Sequence, residues 1–369
     1  MVAVRLLAFA AGFAFAMATV LSAVRTVVVP RGERVRITGA VLALTRWLFE
    51  LRAARVATFA HKDRILARLA PISLILLPGV WAVGILLGFV PMYWALGSDS
   101  WRDAVELSGS SLLTLGFERT DDLPTVVLSF VEALLGLGLV ALLISYLPSI
   151  YGHFLRRESQ VAKLESRAGS PPTPMAMLIR AHSIGQLDNL HATWTEWEDW
   201  FIGLGESHAS FPALCFFRSP QLDLSWIVSA GAVLDTASFT LSTVDVEASF
   251  RAPLTIRAGY LALRRIADFF DVEYDPSPRL DDPISIHRAE FDALCEDLRS
   301  AGLPLKHDLD QAWRDFVGWR VNYDAALRGL CGVVMPPVAP WSSDRAIDWG
   351  RSLPVFRRVR HPSAAADQA

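Results

Sequence analysis

The sequence predicts an all-α membrane protein, three transmembrane helices followed by an all-α C-terminal domain in the cytoplasm, and three observations predict it. Hydrophobic residues make up 52% of the 369 and charged residues only 20%, which excludes a disordered or heavily solvated chain. The apolar residues gather into three long runs in the first half. The charge is divided: residues 1–168 hold 17 basic and 12 acidic side chains, residues 169–369 hold 18 and 26. A net charge of −3 therefore sums two unlike halves.

The first run, Leu6–Val24, has no Asp, Glu, Lys or Arg over 19 residues. The second, Leu69–Ser98, extends this to 30 residues, and the third, Leu123–Leu147, has 25 with Glu132 as its single carboxylate. A hydrocarbon core of about 30 Å needs roughly 20 helical residues, so each run can span. In lipid the backbone must satisfy its own hydrogen bonds, and unalternating runs of this length do so as helices. A signal peptide is the other reading of the first run, since Arg5 precedes a stretch rich in small residues.

Sidedness follows from the basic residues. Between the first two runs, Arg25 to Arg68 carries ten Lys/Arg and three acids; between the second and third, Asp99 to Asp122 carries six acids and only Arg102 and Arg119. Arg156, Arg157, Lys163 and Arg167 follow the third run. The positive-inside rule places residues 25–68, with the basic amphipathic segment 30–68, and everything after about residue 150 in the cytoplasm, with the N-terminus outside, as in a multi-pass protein of the cell membrane. Cleavage of the first run would leave the ten basic residues outside, against that rule. Within the basic stretch, Val41, Leu42, Leu44, Leu48 and Leu51 recur near helical spacing. An amphipathic helix there can lie on lipid with its arginines toward anionic headgroups, or pack on protein.

The segment between runs two and three is too apolar and too patterned for a plain connector. A short helix opens at Asp99 or Ser100 as N-cap and ends in hydroxyls. It leads into Ser111-Leu112-Leu113-Thr114-Leu115-Gly116-Phe117-Glu118. Here the chain resembles the pore region of the potassium-channel superfamily, in which an outer helix, a re-entrant pore helix, a Thr-x-Gly-(Tyr/Phe)-Gly filter and an inner helix follow in order. The resemblance covers residues 69–155, and Ser111, Thr114, Gly116 and Phe117 fall on the hydroxyl, threonine, glycine and aromatic positions. It implies a re-entrant pore helix and filter, an ion path over Ser111, Thr114, Leu115, Gly116, Phe117 and Glu118, a permeant monovalent cation (K or Na), and assembly of four chains. Carbonyls and threonine hydroxyls replace an ion's water shell in such a filter. Glycine takes the positive φ that turns a carbonyl inward, while Leu115 and Phe117 pack outward. The chain departs from the family at Glu118, where the second filter glycine belongs. Four carboxylates there would ring the mouth and draw cations by charge, putting potassium selectivity in question.

In the third run, Ser129, Glu132 and Gly136 share one helical face. An intramembrane carboxylate faces water or a partner, so Glu132 either lines the ion path or braces the short helix from behind. Gly136 and Gly138 fall where the family's inner helix has its gating glycine; close helix packing is the other reading.

After an inner-helix extension, residues 156–174 close on the Gly169-Ser170-Pro171-Pro172-Thr173-Pro174 breaker, which marks a domain boundary. Residues 175–335 read as helical, with stripes over Trp194/Trp197/Phe201/Leu204, Phe291/Leu294/Cys295/Leu298 and Leu309/Trp313/Phe316, Arg320 lying on the side of the third. Leu224–Leu241 is apolar enough to suggest a fourth span, but Asp235 and its hydroxyls favour a buried helix. Residues 336–369 read as a Pro-rich mobile tail. Gly205-Glu206-Ser207-His208-Ala209 approximates a nucleophile elbow but lacks the preceding strand. Cys215, Cys295 and Cys331 form no CxxC pair, and the histidines have no metal-ligand spacing.

The expected function is passive cation conduction through a tetrameric pore, gated by bending or rotation of Phe130–Pro148 and biased by the cytoplasmic domain. Neither an enzymatic activity nor a cofactor is expected. The partners expected are membrane lipids, further copies of the chain and an unidentified cytoplasmic ligand, with no nucleic acid. A non-conducting sensor or scaffold is the first alternative and a membrane-anchored helical enzyme the second.

Overall fold

The computed structural model describes residues 2–29, 35–247 and 250–348. It is 74% helical with no strands among the described residues, apart from one antiparallel bridge between Val244 and Leu305. In chain order the first six helices are α1 (Val2–Val27), α2 (Arg36–Ala53), α3 (Phe59–Leu66), α4 (Leu69–Leu96), α5 (Trp101–Leu112) and α6 (Leu123–Ala168). Three helical stretches are long and apolar enough to cross a membrane: α1, the nearly continuous α3–α4, and α6.

Helix α1 packs along α4 through small residues. A Cβ on Gly84 would sit 2.8 Å from Thr19, and one on Gly88 would sit 2.7 Å from Ala16; Gly12 leaves the same kind of gap at the Gly88 carbonyl. Ser22 accepts a hydrogen bond from the Trp81 indole at 3.3 Å. Between lipid-immersed helices, close approach of small residues supplies the dispersion energy that the hydrophobic effect cannot. Helix α1 is thus fastened to α4 and barely touches α6.

Seven further helices follow: α7 (Pro174–Ser183), α8 (His191–Ser210), α9 (Trp226–Ser242), α10 (Arg251–Phe269), α11 (Arg288–Ser300), α12 (Leu309–Arg320) and α13 (Asp324–Val334). Their core centres on α9, which is buried on every side. That explains an apolar sequence with no polar stripe: α9 is a core helix, not a fourth span. Trp194, Trp197 and Phe201 of α8, Phe291 of α11 and Phe316 of α12 fill the space around it.

Two boundaries differ from the sequence expectation. The Pro-rich breaker at 169–173 is a turn within the C-terminal domain rather than its edge. Val161, Leu164 and Ala168 at the end of α6 belong to the same core as α9, and α7 folds back so that Arg180 donates to the Ser166 carbonyl. One 46-residue helix therefore runs from the membrane-length segment into the domain interior. The expected mobile tail is also not free where it is described. Ala339, Trp341 and Ser342 are buried, Trp341 packs on Phe239 and Phe316, and Arg345 pairs with Glu290. The rest of the tail, from 349, lies outside the described residues.

Candidate functional site

The segment from α5 to the start of α6 carries the backbone features that stand out in the membrane-proximal half. Ser100 caps α5 by accepting from the Asp103 N–H at 3.2 Å, and Asp122 caps α6 through Thr125. Between the caps the chain leaves α5 by a Schellman turn. The Leu115 N–H reaches the Ser110 carbonyl at 2.8 Å and the Thr114 N–H reaches the Ser111 carbonyl at 3.0 Å. Thr114 takes the left-handed position of that turn, at φ 55°. Glycine is the usual occupant there, because a left-handed residue with a Cβ costs about 1–2 kcal/mol. Threonine, being β-branched, fits it worse still. Two residues on, Gly116 is again at positive φ, 72°, while Leu115 and Phe117 are not. Alternating φ sign is the pattern by which successive peptide groups turn to one side. The Glu118 N–H then returns to α5, donating to Ser110 Oγ at 3.2 Å.

Leu113, Leu115 and Phe117 are all exposed on the single chain. Ser111 is half-buried. Thr114, Leu115, Gly116, Phe117 and Glu118 thus form one contiguous loop beyond the C-terminal end of α5.

Glu132 lies behind this loop, fully buried. Its two carboxylate oxygens accept from Tyr93 Oη of α4 at 2.7 Å and from Ser108 Oγ of α5 at 2.6 Å. One side chain of α6 therefore ties the two preceding helices to it. Of the two placements open from sequence, the carboxylate takes the brace rather than a water-facing wall in the single chain. Gly136, one turn further, meets α5 directly: a Cβ there would run into the Leu112 carbonyl. Gly138 faces open space, and Ser129 donates to the carbonyl of Val126 in its own helix. The four residues do not act as one group; Glu132 and Gly136 seat α5, whereas Gly138 lies off that contact. Tyr93 and Ser108 were not foreseen as its partners; a phenol in an apolar run marks a group that needs a partner without saying which one.

A second junction joins the domains. Arg157 of α6, buried, donates to the carbonyls of Leu214 and Phe217 at 2.7 Å each and to Nε2 of His208 at 3.1 Å. These contacts hold the turn Pro212–Phe216, whose Leu214 packs against Ile150 and Phe154 of α6 and Leu74 of α4. Burial, then the charge of Arg157, lowers the pKa of His208 well below the ordinary imidazole range. Ser207 donates to the Leu204 carbonyl within a helix, not on a strand-to-helix elbow, so the 205–209 stretch lacks the geometry of a nucleophile. Comparison of the chain with protein-family models, curated proteins and solved structures gives no match.

Proposed function

We propose that the chain is one subunit of a potassium-channel-like cation channel, in which four copies surround a shared axis with their 111–118 segments. The observation that carries this reading is the backbone at Thr114 and Gly116: a strained threonine where glycine is easier, followed by alternating φ. Strain of that kind persists where the surrounding structure over-determines it, and it clusters at functional positions. A carbonyl and a hydroxyl on a left-handed threonine are what a cation path can use and a simple turn does not need. The C-terminal end of α5 adds a partial negative charge beside the loop. Glu132 holds α5 at a fixed depth, and the exposed Leu115 and Phe117 are left for neighbouring chains or lipid to cover. Na⁺ or K⁺ is the permeant ion, with Glu118 carboxylates at the mouth favouring cations over anions. The α6 helix would transmit movement of the cytoplasmic domain to the path, with Pro148 as a weak point in its hydrogen bonding.

Full-length protein reconstituted in liposomes should pass K⁺ or Na⁺ down an imposed gradient. Passage of neither, under any condition, sinks the proposal. A second reading, a non-conducting sensor on the same scaffold, is favoured by Glu118, whose backbone is drawn back to Ser110 one residue after Phe117. Potassium flux that appears only in Glu118→Gly would select it.

A further inference from the structure

The connection between α1 and α4 holds a surface that the pore reading does not use. Helix α2 turns Ala43, Thr45 and Arg46 toward the protein, with the Arg46 guanidinium over the Phe216 ring at 5.3 Å. Its other face exposes Leu44, Trp47, Leu48 and Leu51, spaced i, i+3, i+4 and i+7. That stripe is uncovered by any described part of the chain, and Arg36 and Arg52 are exposed along its edges. Arg55, Arg64 and Arg68 continue the exposed positive charge into and past α3.

The acids of α2 and α3 are withdrawn from this face. Glu50 pairs with Arg46 at 2.5 Å, and Asp63 is buried and paired with Arg218 at 2.5 Å. The exposed formal charge on these two helices is therefore all positive. The stretch emerges from α1 and runs through α3, the start of the second membrane-length stretch, into the apolar α4, so both of its ends are at the same bilayer surface if α1 and α4 span.

We propose that the outer face of α2 and α3 is a docking surface for anionic phospholipid, with Leu44, Trp47, Leu48 and Leu51 entering the acyl region and the arginines holding headgroups. An apolar stripe flanked by cations that reach back to the headgroup level is the form an interfacial helix takes. A second protein copy would satisfy the stripe but not five exposed arginines with no exposed acid on α2 or α3 among the described residues. The proposal needs α1 and α4 to span a bilayer and does not depend on conduction.

The test places a bimane label on Leu48→Cys in the full chain; the native thiols Cys215, Cys295 and Cys331 are buried. The protein goes into phosphatidylcholine–phosphatidylglycerol vesicles in which only one lipid class carries brominated chains. Brominated phosphatidylglycerol should quench at least about fivefold more effectively than brominated phosphatidylcholine at equal mole fraction, the factor expected for one arginine on an anionic headgroup. The preference should shrink as salt rises. It should disappear in the chain carrying Arg36→Gln, Arg52→Gln, Arg55→Gln, Arg64→Gln and Arg68→Gln, while quenching itself remains. Equal quenching by both lipids overturns the headgroup selection, and no quenching by either shows that the stripe is covered by protein. Salt dependence is read on the arginine-intact chain, so misfolding of the multiple variant does not hide the answer.

Discussion

Two buried hubs, one in each half, join three helical elements through a single ionisable side chain, and they are built differently. In the C-terminal domain Arg320 of α12 pairs with Asp235 of α9 and with Asp324 at the start of α13. It also donates to the carbonyl of Trp341, and Tyr323 donates to Asp235 at 2.8 Å. In the membrane-length half Glu132 is held by two hydroxyls and no cation. The first hub balances charge inside a dense core; the second fixes geometry with neutral donors among sparse packing. Only 11% of the apolar window of α6 is buried by the chain itself, against 44% for α3–α4. A hub of hydroxyls suits a helix that the chain itself leaves mostly uncovered, because it adds no second charge to the membrane-length segment.

The charged hub should be the more costly one to break. Burial pushes the carboxyl of Asp235 above the usual carboxylate range despite Arg320 beside it. Asp324 is also pushed up by burial, but the charge of Arg320 and the hydrogen bond from Ser285 outweigh this and leave it below that range. Arg320→Met would strand these carboxyls, a loss of about 3–5 kcal/mol. The expected outcome is a domain that no longer gives a cooperative melt. A stability change under about 1 kcal/mol would mean the pair is dispensable, as well-packed apolar replacements sometimes are.

Glu132→Ala should cost somewhat less, about 2–4 kcal/mol, from two buried hydroxyls left without an acceptor and the space vacated. Glu132→Gln retains an acceptor and should recover most of it. The readout is thermal unfolding of the full chain in detergent. Equal losses for Ala and Gln would mean the site needs the carboxylate charge, contrary to the comparison.

The two glycines separate packing from bending. Gly136→Ala drives a Cβ into the Leu112 carbonyl and should cost about 1–3 kcal/mol by moving α5. Gly138→Ala meets nothing and should be neutral or gain about 0.5–1 kcal/mol from helix propensity. If Gly138→Ala were the damaging change, bending or a contact with another copy would act there.

The membrane half was read from its sequence more fully than the domain half. Three unalternating runs of this length read as helices, and Ser100 is one of the two residues expected to cap α5; the cap at Asp122 was not read. The positive φ that Gly116 can take for want of a Cβ was legible and is observed, whereas Ser111 and Leu112 fall in α5 and the positive φ at Thr114 was not foreseen. The partners of Glu132 were not legible, because nothing in a periodic pattern says which hydroxyl meets a carboxylate 24 or 39 residues away. The same limit hid the role of Arg320: its place on the aromatic side of α12 was legible, but not that Asp235, 85 residues earlier, meets it there. Prolines at 336, 337 and 340 read as a free tail because proline excludes helix. It does not exclude packing, and Trp341 and Ala339 have buried surface to gain.

The smallest expected effect concerns the junction between the halves. His208 sits neutral, with Nε2 accepting from Arg157 and Nδ1 facing the Leu204 carbonyl at 3.0 Å and Ser207 Oγ at 3.1 Å. His153 adds a further repulsive neighbour, and Glu158 is held by Arg157 at 2.8 Å. Because burial and Arg157 depress its pKa in the folded state, the unfolded chain binds the extra proton first as pH falls. Stability is therefore complete above the ordinary imidazole pKa of about 6.5 and declines below it. One such group contributes a slope of at most about 1.4 kcal/mol per pH unit. His208→Gln keeps an acceptor for Arg157 without a titrating group, so its melting temperature should fall less between pH 7 and 5. The wild-type chain should lose, over the same range, the contact by which Arg157 holds the Pro212–Phe216 turn against α6. Identical pH profiles for the two proteins would move the acid sensitivity away from this junction and leave the link between α6 and the domain to the apolar contacts of Leu214, Ile150 and Phe154.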